Sequence, residues 1–356
     1  MAGKRRGWNT PLTTGDTAAA MGADRQAIFQ ELHDALIAIG LVQTSDTGQL
    51  ADFSGVTSDI PGRTDVYYGF RIYRFNDSLQ SESPVFLRVQ FECRGGTSAY
   101  SWDIPNFGLR IGSGTDGAGN LINASTIRRA PNYRASSSSG TPSSMAYTGN
   151  LQSYAYHGEG LLWVMLKGGG CRAIAQYSEY IGRPGSSSPD NDFPLLFFAV
   201  ARPVGMDGQP KAGGAALVTL CPYGDAIGAG GTRFNAYAPI VEAVNYSSGV
   251  LSATRMPLNK PASDVMSTSD GNLVVGTLHA RFGTTLEQLY GVGSVSAASV
   301  SRDDTISVNL HGISASPLFI PHRGTPGFNV LTNFYNSLDG DSAIDTPAVI
   351  WEGDFV

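Results

Sequence analysis

Clusters of Gly, Pro, Asn, Asp and Ser interrupt this chain roughly every 8 to 15 residues, and that spacing limits the fold more than any other feature. Segments so short suit strands joined by tight turns. A parallel sheet would need crossover segments of about a dozen residues or more, usually helical. One stretch escapes the pattern. Between residues 25 and 39, Ile28, Leu32, Ala35, Leu36 and Ile39 recur at helical steps, with Phe29 beside them. Glu31, His33 and Asp34 fall off that stripe. The spacing predicts one amphipathic helix of about 15 residues, long enough to lid a sheet. Asp24 is placed to cap its start. Gly40 is placed at its end, where a left-handed conformation costs Gly little.

Downstream the period changes to two. Residues 66–75 (VYYGFRIYRF) alternate, with Phe70 and Ile72 on one face and Arg71 and Tyr73 on the other. Asn76-Asp77-Ser78 reads as a turn. Residues 84–92 (PVFLRVQFE) alternate more cleanly, placing Val85, Leu87, Val89 and Phe91 together and Phe86, Arg88 and Gln90 opposite. The two runs predict neighbouring antiparallel strands. Further strands are expected at 106–112, 152–156, 160–167, 195–200, 215–221, 237–246, 273–282, 307–310, 317–321 and 348–352. Residues 173–181 fit a strand or a helix, and 284–290 a short helical turn. The fold class is therefore mainly β: one or more antiparallel β-sandwich or barrel-like domains with one amphipathic N-terminal helix. The expected division is an arm at 1–24, helix and first β lobe at 25–135, and a second β region at 136–356. The boundary falls in the Ser-rich zone, and one continuous domain fits as well.

Composition narrows the function. Charged residues make up 15% and Gly 44 of 356 positions, so the surfaces are large and neutral, suited to permanent packing against other subunits. The net charge of −6 argues against dedicated binding of duplex nucleic acid, which favours basic proteins. Lys4, Arg5 and Arg6 form the one basic cluster, in a Gly-flanked arm with Trp8 and Leu12 as apolar anchors. Such an arm either docks on a neighbouring subunit or folds back on its own core. Trp8, Leu12, Arg5 and Arg6 are the candidate subunit contacts. Cys93, Cys171 and Cys221 are widely spaced, form no zinc pattern and fit folding in a reducing compartment. The opening residues carry no signal-peptide pattern, and no apolar run approaches the length of a membrane span. Synthesis in a cytoplasm is expected.

Motifs for chemistry do not accumulate. Gly112-Ser113-Gly114-Thr115-Asp116-Gly117 matches a dinucleotide fingerprint, but Ala118-Gly119-Asn120 and a basic, Pro-containing stretch follow instead of a helix. A hairpin loop is the expectation. Asp116 to Asn120 and Asp339-Gly340-Asp341 could offer oxygens to Ca²⁺, without the distal Glu of an EF-hand; turns that bond their own backbone are expected instead. His33, His157, His279, His311 and His322 are scattered, and no GxSxG elbow occurs. Glu179, Asp190 and Asp192 are carboxylates without a supporting pattern. No catalytic residue, metal ligand or cofactor is assigned, and the chain reads as a non-enzyme. Tyr147, Tyr154 and Tyr156, with Tyr177 and Tyr180, lie in a Ser/Gly-rich region suited to a recognition surface or to subunit seams.

Four blocks in order carry a resemblance. Residues 35–49 (ALIAIGLVQTSDTGQ) resemble a recurrent opening in virion proteins of tailed bacteriophages, where such a helix and "QTxDTGQ" block precede a β domain. Residues 68–77 (YGFRIYRFND) are similar to the family's next strand and turn, and residues 84–91 to the strand after it. Residues 109–119 (LRIGSGTDGAG) resemble its glycine-rich β-loop. The resemblance covers residues 25–125 and brings no catalytic motif. It implies a non-enzymatic structural component of the tail, collar or baseplate, located in the virion. Such a protein packs as a homo-oligomer, a trimer or hexamer, with other virion proteins. A receptor-binding tail protein using the Tyr-rich loops on a host surface, and a head decoration protein, are the other readings.

Overall fold

The computed structural model describes residues 3–8, 18–56, 66–94, 104–130, 161–167, 170–178, 194–221, 238–245, 251–255, 275–295, 308–310, 313–318, 320–321, 328–329 and 350–352. In chain order its elements are β1 (Gly3–Trp8), α1 (Ala18–Ala38), β2 (Val42–Gln43), β3 (Val66–Arg74), β4 (Phe86–Arg94), β5 (Ile104–Gly112), β6 (Gly114–Thr115), β7 (Leu121–Ile122) and β8 (Arg128–Ala130). There follow β9 (Leu161–Lys167), β10 (Cys171–Ser178), β11 (Pro194–Ala201), β12 (Gly214–Cys221), β13 (Ala238–Asn245), β14 (Leu251–Arg255), β15 (Val275–Phe282) and β16 (Thr285–Val295). The last are β17 (Val308–Leu310), β18 (Ile313–Leu318), β19 (Ile320–Pro321), β20 (Phe328–Asn329) and β21 (Ile350–Glu352). The protein is mainly β. A five-stranded sheet runs β2-β3-β4-β5-β8 and a seven-stranded sheet β1-β9-β10-β11-β12-β13-β14, with antiparallel pairing throughout. Among the described residues no helix is long and apolar enough to cross a membrane.

The helix lids the first sheet as its periodicity predicts. Ile28, Phe29, Leu32, Ala35, Leu36 and Ile39 are all buried. They meet Leu87, Val89 and Phe91 of β4 and Phe107, Leu109 and Ile111 of β5 in one core. Phe29 is the keystone: its ring packs edge-on against Phe91 and Phe107, at 5.2 and 5.6 Å between centroids, and tilts against Phe53. The end of the helix also follows expectation. Gly40 takes φ 83°, its N–H donates to Ile37 O, and Leu41 N–H reaches back to Leu36 O. Those two bonds are a Schellman cap. The start does not follow expectation. The helix begins at Ala18, so Asp24 lies inside it and not at its start. Ala18, Ala19, Ala20 and Met21 are strong helix formers, and they extend the helix past the local capping signal.

Three further readings change. Residues 173–178 are strand, as part of β10. Residues 284–290 are not a helical turn: β15 and β16 form a hairpin about Gly283, at φ 62°, whose cross-strand bonds override the local helical spacing. Of the two fates open to the N-terminal arm, Gly3–Trp8 takes the second, pairing with residues 161–166 of β9 as the terminal strand of the larger sheet. The expected strand at 152–156 and the Ser-rich zone at 135–150 lie outside the described residues.

The two sheets share their core. Ile174, Phe198, Val200, Leu217 and Val244 from the larger sheet belong to the same buried cluster as the helix and β4. Ala199, Ala201, Ala216 and Val218, on the opposite face of that sheet by alternation, are buried too, which accounts for the unbroken apolar runs of β11 and β12. Across this junction lies an ion pair. Arg202, fully buried just after β11, donates from Nε and Nη2 to the two carboxylate oxygens of Asp77, each at 2.8 Å. Its Nη1 donates to Ser83 O at 2.7 Å. The guanidinium also lies 5.5 Å from the Phe75 ring centroid. Its backbone joins two more elements: Arg202 N–H donates to Gly170 O, and Tyr290 N–H of β16 donates to Arg202 O.

Removing the carboxylate would leave a guanidinium buried with one acceptor. Asp77→Ala is therefore expected to destabilise the fold by about 3–5 kcal/mol. Asp77→Asn keeps one acceptor oxygen and should cost less. Urea titration of purified protein checks both, and equal midpoints for wild type and Asp77→Ala would rule out a stabilising cross-link.

Candidate functional site

On the side of the five-stranded sheet away from α1, two loops and a row of arginines share one surface. The first loop is the residue 44–50 turn. Gln49 organises it: Nε2 donates to Thr44 O at 2.8 Å and Asp46 O at 3.1 Å, while Oε1 accepts Ile72 N–H at 2.7 Å. The side-chain oxygen takes the place of a strand carbonyl where β2 ends. Leu50 N–H then donates to Phe70 O at 2.9 Å, so the turn runs on along β3. Thr44 Oγ1 donates to the Asp46 carboxylate.

The second loop joins β6 to β7, and it is a hairpin turn as its sequence predicts. Asp116 fills it: the carboxylate accepts Ala118 N–H, Asn120 N–H and Asn120 Nδ2 at 2.8 to 3.0 Å. The Asn120 side chain, then the backbone donors, hold the Asp116 carboxyl below its ordinary range. Its oxygens serve the turn's own backbone. The loops meet where Thr47 N–H donates to Gly117 O at 3.0 Å. Phe70 lies beneath them. A Cβ on Gly119 would stand 2.4 Å from the Phe70 ring, so only Gly fits there. The ring also carries Arg88, whose guanidinium carbon is 4.1 Å from the centroid.

Beside Phe70 the arginines line up by register. Arg88 on β4 faces Arg110 on β5 directly. Arg74 pairs with Phe86 one row away, and Arg129 with Gly108 on the far side. Arg88 Nε, Arg110 Nε and Gln90 Oε1 are buried atoms with no hydrogen-bond partner. Arg88 Nη2 reaches the exposed Tyr67 hydroxyl at 3.4 Å. Burial, and then the neighbouring Arg110 charge, lower the Arg88 pKa from its ordinary value. The surface can hold anionic groups by charge and by the guanidinium fork.

A buried chain of polar groups lies on the opposite, helix-facing side. Arg71 Nε and Nη2 donate to Leu50 O and Ala51 O at 3.0 and 2.8 Å, and its guanidinium covers the Phe53 ring. Tyr73, fully buried, bonds His33 of α1 at 2.9 Å. Burial raises the Tyr73 hydroxyl pKa, and burial followed by the Arg71 charge lowers that of His33, so the neutral forms of both are favoured. Cys171 is likewise buried, its thiol pushed up to about 12 by desolvation. His33, Tyr73 and Arg71 tie the helix and the 50–53 segment to the five-stranded sheet.

Arg5, Arg6 and Trp8 lie on β1, paired to Val164, Trp163 and Leu161. Tyr177 and His279 lie on β10 and β15. Leu12, Tyr147, Tyr154, Tyr156, Tyr180, His157, His311, His322, Glu179, Asp190, Asp192, Asp339 and Asp341 lie outside the described residues. Among the described residues no three His, Cys, Asp or Glu side chains converge as metal ligands would. The Arg88–Arg110 pairing was not visible in the sequence, because register is needed to place residues of two strands opposite each other. Compared with family models, curated proteins and solved structures, the chain finds no match.

A matched pair of substitutions tests the loop junction. Gly117 and Gly119 both have positive φ, 77° and 92°, but a Cβ on Gly117 would meet nothing within 4 Å. Gly117→Ala should cost about 1–2 kcal/mol from backbone conformation alone. Gly119→Ala should add about 1–3 kcal/mol from overpacking against Phe70. Thermal unfolding reads the difference, and equal costs would contradict the packing described.

Proposed function

We propose that this chain is a non-enzymatic structural component of a tailed-phage virion, in the tail, collar or baseplate, acting by shape-complementary packing in a symmetric oligomer. One observation carries the reading. The segments by which the sequence resembles that family, separated by up to seventy positions, pack into one unit: the 44–50 turn bonds the β6–β7 turn, and both close over Phe70 of β3. A helix, three strands and two turns that interlock in this way behave as a module, which is what a recurrent block in structural proteins requires. The polar side chains fit the same role, since Arg71, Gln49, Asp116 and Arg202 each bind backbone or close a turn.

Protein mass spectrometry of gradient-purified particles from the encoding phage tests this. The chain is expected at a fixed copy number per particle, with cryo-EM of those particles placing it at the tail, collar or baseplate. Its presence in the infected-cell lysate and absence from intact particles would refute the reading.

A further inference from the structure

The outer face of β3, β4 and β5 concentrates positive charge that the described residues offset only in part. Arg88 and Arg110 are directly opposed across neighbouring strands, an arrangement that destabilises a sheet when both residues are charged. Both are half-buried, and the Nε of each is buried without a partner. Glu92, two rows along the same face, acts on Arg88 with its opposite charge, one carboxylate against the two facing guanidinium groups. Arg74 extends the positive row by register. This concentration of guanidinium groups sits on a chain whose net charge is −6, so the acidic surplus lies elsewhere on the molecule.

We propose that the Arg88–Arg110 face is a contact surface for carboxylates on a second copy of this chain. The geometry favours that occupant in two ways. A basic face on an acidic chain is complementary to the remainder of an identical neighbour, and a contact between two different patches propagates head to tail into a ring. The planar guanidinium also matches a carboxylate through two parallel bonds. Among the described residues of this face only the Tyr67 ring is an exposed large aromatic, short of the run of rings on which successive bases stack, since Arg88 covers the Phe70 ring and Ile72 is fully buried. The inference rests on the homo-oligomeric part of the proposed function and names the surface that would build the oligomer.

Sedimentation velocity on the full chain at low and high salt, for wild type, Arg110→Glu and Arg110→Gln, tests it. The expected result is a wild-type oligomer that weakens with salt, a dissociation constant raised about tenfold or more in Arg110→Glu, and a smaller increase in Arg110→Gln. Circular dichroism should stay at the wild-type spectrum and the melting temperature of the subunit should not fall, because Arg110 Nε bonds nothing within the subunit and removing its charge relieves the repulsion with Arg88. If Arg110→Glu does not fold, the Arg110→Gln result decides. Equal self-association of wild type and the folded variants would overturn the contact surface and leave the virion reading standing. A wild-type chain that stays monomeric would overturn both the contact and the homo-oligomer. A fluorescein-labelled single-stranded DNA that binds wild type but not Arg110→Glu, with self-association unchanged, would overturn the proposal in favour of a nucleic-acid surface.

Discussion

The buried pair of Arg202 and Asp77 is the constraint on which the rest of this structure depends. A guanidinium removed from water is costly unless its hydrogen bonds are replaced. Here two carboxylate oxygens and a carbonyl replace them. All three acceptors come from the 77–83 connection between β3 and β4, while the arginine follows β11 of the other sheet. Arg172, buried on β10, joins the same group: its guanidinium is 5.0 Å from the Phe75 ring centroid. Gly213 N–H also donates to Ser83 Oγ, so the 77–83 connection is bonded just before β12 as well. The hydrophobic core can form on both sides of this junction only if the charged connection is seated in it.

That seating explains why the first sheet is rigid enough to display its outer face. The helix and the Phe29 aromatic group press on one side, and the two interlocked turns hold the other. Between the turns and the strand edge, the remaining outer surface is a row of guanidinium groups held in fixed register. Fixed charges on a preorganised sheet lose little entropy on contact. The proposed role as a packing subunit and the proposed contact surface draw on this same rigidity.

Much of this was legible in the sequence. The helical stripe from Ile28 to Ile39, the stop at Gly40, and the alternation of Val85, Leu87, Val89 and Phe91 each report a local period, and each is found buried or capped as its period implies. The loop at 112–117 was legible as a hairpin because its surroundings lacked a helix. Other features were hidden for physical reasons. Arg202 reads locally as a charge ending an apolar run, and its partner is 125 residues away in a turn. Asp24 looks like a cap, but the alanines before it continue the helix. The spacing of Leu286, Leu289 and Tyr290 suits a helix, but pairing with β15 decides otherwise. The Arg88–Arg110 surface depends on the register between strands, which alternation along either strand does not specify.

The central claim is that the two sheets form one cooperative body because the Arg202–Asp77 junction joins them. Native-state hydrogen exchange in mild denaturant measures this directly, by comparing the opening free energies of amides on central strands of each sheet. Val89 on β4 and Phe198 on β11 are both buried and paired on both sides. The account predicts that the two amides converge on one opening free energy as denaturant rises. If Phe198 exchanges through an opening that leaves Val89 protected, or the reverse, the sheets unfold separately and the junction does not hold them together.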